Sequence, residues 1–354
     1  MSLLVLRPIK RILNNPSLVA LIFFGLTLYL GFYFVGRWLY PVILSVVLAY
    51  LMDGLIKKLQ KLKLRRVFAL NIVFFIFFIA LIYSFFTLFP KLISQSKAII
   101  TSLPTYIDLL KDQLLILQLR FPQYIDQNLV NQVVESANQN IAEMGTNLFS
   151  VKFFNSILNV VTIAVYAILV PILIYFMLKD KEEILNWLKQ FLPENRAIIF
   201  DIWKEVDLQI ANYIRGKCAE ILVIWAMCYL PFTLFKLDYA LLLSFLVGLS
   251  VLIPYIGAFL ITFPVLFVAY IQFGINGTFW WISIIYFIIQ ILDGNVIVPI
   301  IFSRAVSINP VAVIIAVLVF GGMFGFWGVF FAIPLATVVK AVITSWHKYQ
   351  SVSS

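Results

Sequence analysis

Apolar runs long enough to cross a lipid bilayer recur along the whole chain, and this feature restricts the fold more than any other. The hydrocarbon core of a bilayer is about 30 Å thick, so a helix that spans it needs about 20 apolar residues. Hydrophobic residues make up 63% of the chain and charged residues only 12%, whereas an ordinary soluble domain is about one quarter charged. The sequence therefore predicts an all-α, polytopic membrane protein with about eight hydrophobic segments, whose main partner is the lipid bilayer.

The positive charges indicate how the chain is oriented in the membrane. The formal net charge is +10, and much of it lies in short loops beside apolar segments. Cytoplasmic loops are enriched in Lys and Arg, so we expect the N-terminal tail, the basic loop Lys57–Arg66 and the C-terminal tail to be cytoplasmic. No basic block interleaves with aromatic residues on a polar surface, so no nucleic-acid partner is expected.

Composition divides the chain into consecutive parts, one of which is polar and lies between membrane segments. In this part, 91–152, we expect Pro104 and Pro122 to separate about three amphipathic helices on the outer face. The last of them carries an apolar stripe from Leu129 to Leu148, which packs either on the protein's own membrane part or on a neighbouring subunit. The parts are 1–90 with the first three membrane helices (the first two at Ser17–Gly36 and Trp38–Ile56) and the basic loop, the polar outer-face domain 91–152, the fourth membrane helix 153–178, cytoplasmic amphipathic helices 179–217, a transport core 218–345 and a polar tail 346–354.

Two apolar segments in the last third, 239–273 and 308–343, are too long to be single straight spans. A helix of about 35 residues rises about 50 Å, so each segment must bend, break or fold back. The first contains Pro254 and Gly257 near its middle, and the second contains a glycine-rich stretch around Gly325. We expect two re-entrant helical hairpins whose breaks meet at depth. Two bent helices that each cross once, with glycines that serve close packing, are the alternative.

Asp293 is the acidic residue that most needs an explanation, because it follows a long apolar run. An ionisable group at membrane depth is a functional candidate, and we expect the two helix breaks to lie near it. Its carboxylate can bind a proton, and together with the amide oxygen of Asn295 and freed backbone carbonyls it offers the oxygen ligands that hard cations prefer. As an alternative, Asp293 caps a helix or pairs with Arg304 at the interface. Other acids near the ends of spans are expected at the interface, namely Asp53, Glu220 and Asp238.

Enzyme chemistry and cofactors are not expected from this sequence. The single histidine, His347, stands near the end of the sequence, and no zinc-protease, serine-hydrolase or phosphate-loop motif is present. Cys218 and Cys228 fall in or beside one apolar segment, and we expect them to serve packing rather than a disulfide or a metal site. Any transport is then passive or driven by an ion gradient.

Four stretches in the last part of the chain carry a family resemblance. They resemble the autoinducer-2 exporter family of bacterial membrane proteins, and they read YIRGK, LDYALLLSFLVGLSVLIPYIGAFL, DGNVIVPIIFSRAVSINP and FGGMFGFWGVFFAIPLATVVK. The resemblance implies a permease of the bacterial cytoplasmic (inner) membrane and a homo-oligomer, with the pentamer as one form. Some members are linked to autoinducer-2 export, and others are similar to sodium or lithium/proton antiporters. Ser303 and Asn309 stand where the family more often has glycine and histidine, which argues against proton titration at Asn309.

The resemblance and the broken helices together select candidate site residues. One set is expected to bind the solute or ion, and the other to support the structure. The binding set is Asp293, Asn295, Pro254, Tyr255, Gly257, Gly322, Gly325 and Gln290, and the structural set is Gly216, Pro299, Pro310 and Pro334.

Three functions are compatible with the sequence. The first is a secondary transporter, an exporter or antiporter, that moves a small polar solute such as autoinducer-2 or exchanges a monovalent cation for protons. The second is a channel or passive pore made by the oligomer, and the third is a membrane scaffold that transports nothing. A transporter is the only one of the three whose substrate flux dissipates a proton or sodium gradient, and a scaffold gives no flux at all.

Overall fold

The computed structural model of the protein describes residues 16–120, 131–132, 134–136, 139, 157–190, 197–302 and 309–340, and the helices in these residues are accompanied only by turns and short connections. The prediction of an all-α fold is therefore confirmed. Arg304, Ser303, Pro122 and His347 lie outside the described residues, as does most of the apolar stripe predicted between Leu129 and Leu148.

The described helices are numbered in chain order. They are α1 (Pro16–Lys61), α2 (Arg66–Tyr83), α3 (Phe89–Arg120), α4 (Ile157–Lys179), α5 (Lys181–Lys189), α6 (Ala197–Leu234), α7 (Ala240–Ser250), α8 (Ile256–Phe273), α9 (Gly277–Leu292), α10 (Val298–Phe302) and α11 (Pro310–Phe330). A π-helical turn, Ser84–Leu88, joins α2 to α3, another, Asp293–Ile297, joins α9 to α10, and residues 332–340 continue as helix beyond α11.

Helices long and apolar enough to cross a membrane account for most of the described chain. The long ones are Leu39–Lys61, Arg66–Arg120, Val206–Leu234, Ile256–Phe273, Gly277–Phe302 and Pro310–Phe330, and two shorter apolar helices are Val165–Lys179 and Ala240–Ser250. The protein is thus a polytopic helical membrane protein, as the sequence predicts.

Two long helices run through positions where the sequence predicts a break. The spans expected at Ser17–Gly36 and Trp38–Ile56 form the single helix α1, which continues through Gly36 and Pro41. The helix break expected at Pro104 is wrong, because α3 continues through this proline to Arg120. A proline removes one helical hydrogen bond, and the flanking turns on both sides are long enough to keep the helix intact.

The helix α6 organises the second half of the fold. It packs against α1, α7, α9 and α10. Gly248 brings α7 very close, since a Cβ atom there would lie 2.9 Å from the carbonyl oxygen of Ile221 on α6. A second apolar cluster, formed by α1, α2 and α4 around Met52, Ile174 and Leu178, holds the first half together.

Hairpin 1, formed by α7, the turn after it and α8, folds back on itself. At its open end, the Gln272 side chain donates from Nε2 to the carbonyl oxygen of Lys236 at 2.9 Å and accepts from the Asp238 N–H at 2.7 Å. At its closed end, Gly257 packs so tightly on α7 that a Cβ atom there would overlap the carbonyl oxygen of Ser250. The segment 239–273 is therefore a hairpin and not a bent helix.

Hairpin 2, residues 309–340, also folds back. The buried Ala316 and Val317 of α11 share an apolar cluster with Ala332 of the returning helix. At the turn, a Cβ atom on Gly328 would overlap the carbonyl oxygen of Phe320, and Gly325 has φ 60° and ψ −138°, which L-residues with side chains rarely adopt. Both interpretations of these glycines therefore hold, one for close packing and one for the break.

The helix α3 reaches the start of hairpin 1. The side-chain oxygen Oε1 of Gln95 accepts a hydrogen bond from the Leu242 N–H at 2.8 Å. The hydroxyls of Ser102 and Tyr106 both lie 3.3 Å from the hydroxyl of Tyr239. The side chain of Gln95 thus satisfies a free N–H group in the first turn of α7.

We predict that Gly328→Ala destabilises the protein and that Gly322→Ala does not. The new methyl at 328 collides with backbone, which costs about 1–3 kcal/mol, whereas nothing lies within 4 Å of a Cβ atom at 322. Thermal unfolding of both purified variants, followed by tryptophan fluorescence, measures the difference. Equal melting temperatures for the two variants would contradict the hairpin packing.

Cysteine labelling should place the two ends of each hairpin on one side of the membrane. In a cysteine-free background, Asp238→Cys and Gly274→Cys are expected to react with an impermeant maleimide from the same side, because Gln272 holds these ends together. Asn309→Cys and Lys340→Cys should react from the other side, because the span Gly277–Phe302 lies between the hairpins. Labelling of 238 and 274 from opposite sides would refute the re-entrant geometry.

Candidate functional site

A buried ion pair lies inside the α6 span. The side chains of Lys217 and Glu220 are only 6% and 2% exposed, and the Lys217 ammonium lies 2.9 Å from Oε2 and 3.1 Å from Oε1 of Glu220. The spacing of three residues places both side chains on one face of the helix. Charges removed from water cost several kcal/mol each unless they are closely paired. An ion pair at this place in a membrane helix is therefore a candidate functional site.

The same ammonium holds the closed end of hairpin 1. Its Nζ atom donates to the carbonyl oxygen of Val251 at 2.9 Å. Val251 directly follows α7, where the helical hydrogen-bond pattern ends and carbonyl groups lose their partners. Lys217 therefore joins α6 to the hairpin break through an oxygen that the break set free.

Asp293 completes the charge cluster, which we define as Lys217, Glu220 and Asp293. Asp293 ends α9 and begins the π-helical turn, a type of turn that is frequent at functional sites. Its carboxylate interacts electrostatically with both Lys217 and Glu220. Its Oδ1 atom is buried and has no hydrogen-bond partner among the described residues. The cluster thus holds two carboxylates and one ammonium.

The charge cluster lies well inside the membrane-spanning helices. Glu220 stands at the midpoint of the span Val206–Leu234, about 21 Å of helix from either end. Asp293 stands about 24 Å after the beginning and about 14 Å before the end of the span Gly277–Phe302. Both acidic residues of the cluster thus lie within helices that are long and apolar enough to cross a membrane.

Aromatic rings close the cluster on the side of α10. The Lys217 ammonium lies 5.5 Å from the centre of the Phe302 ring, within the range of a cation–π contact. Tyr213 lies between Phe302 and Phe330, with ring centres 5.9 and 6.0 Å away. Gly216 makes room for this arrangement, because a Cβ atom there would lie 2.5 Å from the Phe302 ring. Hairpin 2 thereby reaches the charge cluster through Phe330 and Tyr213.

A short chain of polar side chains leads away from Asp293 along α9. Gln290, one helical turn before Asp293, donates from Nε2 to the Tyr286 hydroxyl at 2.9 Å. The Tyr286 hydroxyl lies 2.9 Å from the hydroxyl of Thr262 on α8. These neutral donors and acceptors extend the polar interior from the cluster toward hairpin 1.

The sequence matches a known family of membrane proteins over almost its whole length. The model of the AI-2E family transporters matches residues 18–348. The chain belongs to the AI-2E transporter family. "Putative permease PerM" of Escherichia coli (strain K12) is 40% identical to it over 340 residues, which are 95% of each chain. "Putative transport protein YueF" of Bacillus subtilis (strain 168) is 25% identical over 319 residues, 87% of this chain and 84% of the relative.

A more distant relative of similar length completes the comparison. A "Putative transport protein" of Thermotoga maritima is 24% identical over 353 residues, 97% of this chain and 98% of the relative. The resemblance stated from the sequence motifs is therefore confirmed. This AI-2E family protein is an integral membrane protein of the permease type.

Part of the predicted binding set in the AI-2E family protein lies at or beside the charge cluster. Asp293 belongs to it, and Gln290 lies one turn away on the same helix. Pro254 and Tyr255 form the turn of hairpin 1, where Tyr255 has φ 62° and is exposed, and Gly257 provides the close approach behind that turn.

The remaining members of the binding set lie on exposed surface. The Asn295 side chain is exposed, and its Nδ2 atom donates to the carbonyl oxygen of Ile291 on its own helix. Gly322 and Gly325 are exposed at the closed end of hairpin 2. The structure thus joins the closed end of hairpin 1 to Lys217 of the charge cluster through the Val251 carbonyl, while hairpin 2 reaches the charge cluster with its aromatic residues instead of its glycines.

The predicted structural residues take varied positions. Pro310 begins α11, where the Asn309 side chain accepts from the Val311 N–H at 2.9 Å as a helix cap. Pro334 is buried in the returning helix of hairpin 2, and Pro299 is exposed in α10.

Lys217 and Glu220 are the site residues that sequence reasoning missed. For Glu220, expected at the membrane interface, the structure shows a side chain that is buried within α6, at the middle of the helical segment Val206–Leu234. The signal in the sequence is a lysine and a glutamate three residues apart with apolar residues after them. By contrast, Asp53 does pair near the basic loop, at 3.0 Å from both Lys57 and Lys181.

A double-mutant cycle should reveal the mutual dependence of Lys217 and Glu220. Lys217→Met alone leaves a buried, unpaired carboxylate and is expected to cost about 3–5 kcal/mol. Combining it with Glu220→Gln removes the orphaned charge and should restore a large part of the stability, although neither change restores the Val251 hydrogen bond. Denaturant unfolding in detergent measures the cycle. Additive losses in the double variant would contradict a coupled pair.

Proposed function

We propose that this protein is a secondary transporter that exchanges a monovalent cation for a proton at the charge cluster. The observation that carries this proposal is the charge balance of the cluster. Two carboxylates and one ammonium leave a net charge of −1 if all three are ionised. A net charge is costly in a low-dielectric interior, so the cluster favours binding one further positive charge.

The net charge of −1 supports a monovalent cation as the transported ion. A proton or a monovalent cation neutralises the cluster, whereas a divalent cation would leave it positive. Proton and cation together would also leave it positive, so each excludes the other. Mutual exclusion at one site is what couples the movement of two ions in an antiporter. The proposed exchange is therefore one proton for one monovalent cation and moves no net charge.

The hairpins supply a means of access from both sides. In transporters with paired broken helices, the gate elements approach a central site from opposite faces. Hairpin 1 holds the cluster through the Val251 carbonyl, and hairpin 2 holds it through Phe330 and Tyr213. Release of one hairpin at a time would expose the cluster to one side only. This arrangement favours a transporter over a passive pore, which needs a continuous open path.

Export of a small polar solute such as autoinducer-2 is the second candidate. The neutral chain of Gln290, Tyr286 and Thr262 beside the cluster favours it, because such groups can donate and accept hydrogen bonds with the hydroxyls of a polar solute. In that case the proton taken up at the cluster drives export of the solute.

We further propose a homo-oligomer in the bacterial inner membrane with a cytoplasmic C-terminus. The outward face of α2 carries large apolar side chains that suit either lipid or a neighbouring subunit, among them Phe68, Phe75 and Ile79. A charge-free face of this kind fits a subunit contact within the membrane.

The decisive test is a flux assay with one variant and one matched control. Asp293→Asn removes the proton-accepting carboxylate, so cation-driven proton movement in proteoliposomes should fall to the level of empty vesicles. Asp238→Asn changes an exposed aspartate outside the cluster and should keep wild-type flux. A pH-sensitive dye inside the vesicles reports proton movement after addition of sodium, lithium or potassium salts. Wild-type flux in a folded Asp293→Asn protein would refute the proposal.

The same assay separates the candidate functions. No response of the wild-type protein to any of the cations, together with proton-driven movement of a labelled polar metabolite, would select solute export. Flux without dissipation of the pH gradient would select a passive pore.

A further inference from the structure

The surroundings of the Lys217 ammonium are those of a bound cation. Its Nζ atom lies 2.9 Å from Oε2 and 3.1 Å from Oε1 of Glu220, and 2.9 Å from the Val251 carbonyl oxygen. An ammonium is a compact point charge with three donors, and hard cations prefer this same set of oxygen ligands. The carbonyl belongs to a helix break, where membrane transporters bind coupling ions.

We infer that Lys217 is the resident occupant of a monovalent-cation site formed by the Glu220 carboxylate and the Val251 carbonyl. When a cation enters this site, the ammonium moves to the second carboxylate, Asp293. The buried Oδ1 atom of Asp293, which has no hydrogen-bond partner among the described residues, is the acceptor for the displaced lysine. Lys217 is thus an internal competitor of the transported ion, and the inference rests on the proposed function for the exchange that this competition drives.

Charge is balanced in both states of this exchange. In the first state Lys217 pairs with Glu220 while Asp293 carries a proton, so the cluster is neutral. In the second state the Asp293 O–H bond has broken, the proton has left to water, Lys217 pairs with Asp293, and the cation lies between Glu220 and Val251. The cluster is again neutral, so neither state leaves an uncompensated charge in the membrane.

A purely structural ion pair has a different pattern. Such a pair would be satisfied by Glu220 alone and would need no second carboxylate within electrostatic range of the lysine. Such a pair would also not require a hydrogen bond from the lysine to the Val251 carbonyl of hairpin 1. In a structural role, removal of the lysine lowers stability, and it creates no new affinity for an ion.

Binding of radioactive sodium tests the inference directly. The full-length protein is reconstituted in nanodiscs at alkaline pH, and ²²Na⁺ binding is measured by scintillation proximity with lithium as competitor. Lys217→Met removes the competitor and is expected to bind ²²Na⁺ about tenfold more tightly than wild type, or better. Lys217→Arg keeps a cation in the site and should show no gain. Lys217→Met combined with Glu220→Gln loses a ligand, so the gain should disappear.

A second variant and a second measurement guard against poor folding. Lys217→Gln keeps a hydrogen-bond donor for the Val251 carbonyl and should also gain ²²Na⁺ affinity. Sodium should raise the melting temperature of both neutral variants and leave that of Lys217→Arg unchanged. If Lys217→Gln gains neither affinity nor sodium-dependent stability, the inference is overturned, whatever the behaviour of Lys217→Met.

Failure of the inference can be told apart from failure of the proposed function. Wild-type flux is measured in the same preparation. Coupled flux without a gain of binding in the neutral variants would keep the antiporter and remove the role of Lys217. A gain of binding without coupled flux would keep the cation site and remove the antiporter.

Discussion

The interior of a membrane offers no water to free carbonyl groups or to charges, and the arrangement of α6 to α11 follows from this constraint. Each hairpin interrupts a helix inside the bilayer, so each creates backbone groups that need partners from elsewhere. At hairpin 1 the partner is an ammonium that itself needs a carboxylate, and both are supplied by one turn of α6. A free carbonyl, a buried ammonium and a buried carboxylate would each be costly alone. Here each of these groups has a partner, because all three lie together.

The two hairpins solve the same problem by different means. Hairpin 1 is held by charge, through Lys217 and the Val251 carbonyl. Hairpin 2 is held by packing, with glycines that let its two helices touch and aromatic rings that reach Tyr213. Under the proposed ion exchange, ion binding would change the charged contact and leave the aromatic contact unchanged. In that proposal, hairpin 1 is the hairpin that responds to the ion.

Much of this architecture follows from the sequence, and the rest depends on helix boundaries. The hairpins are predictable because apolar segments of that length exceed the bilayer and carry glycine and proline at their centres. Asp293 is predictable because a charge after a long apolar run stands out. The pairing of Lys217 with Glu220 is not predictable, because the sequence places cytoplasmic amphipathic helices up to residue 217 and a separate core from residue 218, whereas α6 runs without a break from Ala197 to Leu234. In the same way, Gly36 and Pro41 favour a turn between two spans, although α1 continues through both residues.

The bond between Gln272 and the two neighbouring backbone groups has a mechanical consequence. Because the Gln272 side chain bonds to both Lys236 and Asp238, its hydrogen bonds oppose sliding of the two helices, and we expect any movement of hairpin 1 to carry both helices together. Its pivots then lie outside the fastened region. Gly274 is suited to be one of them, since it has φ 63° and no neighbouring atoms within 4 Å of a Cβ position. If hairpin 1 rotated about Gly274, its closed end would therefore move the furthest.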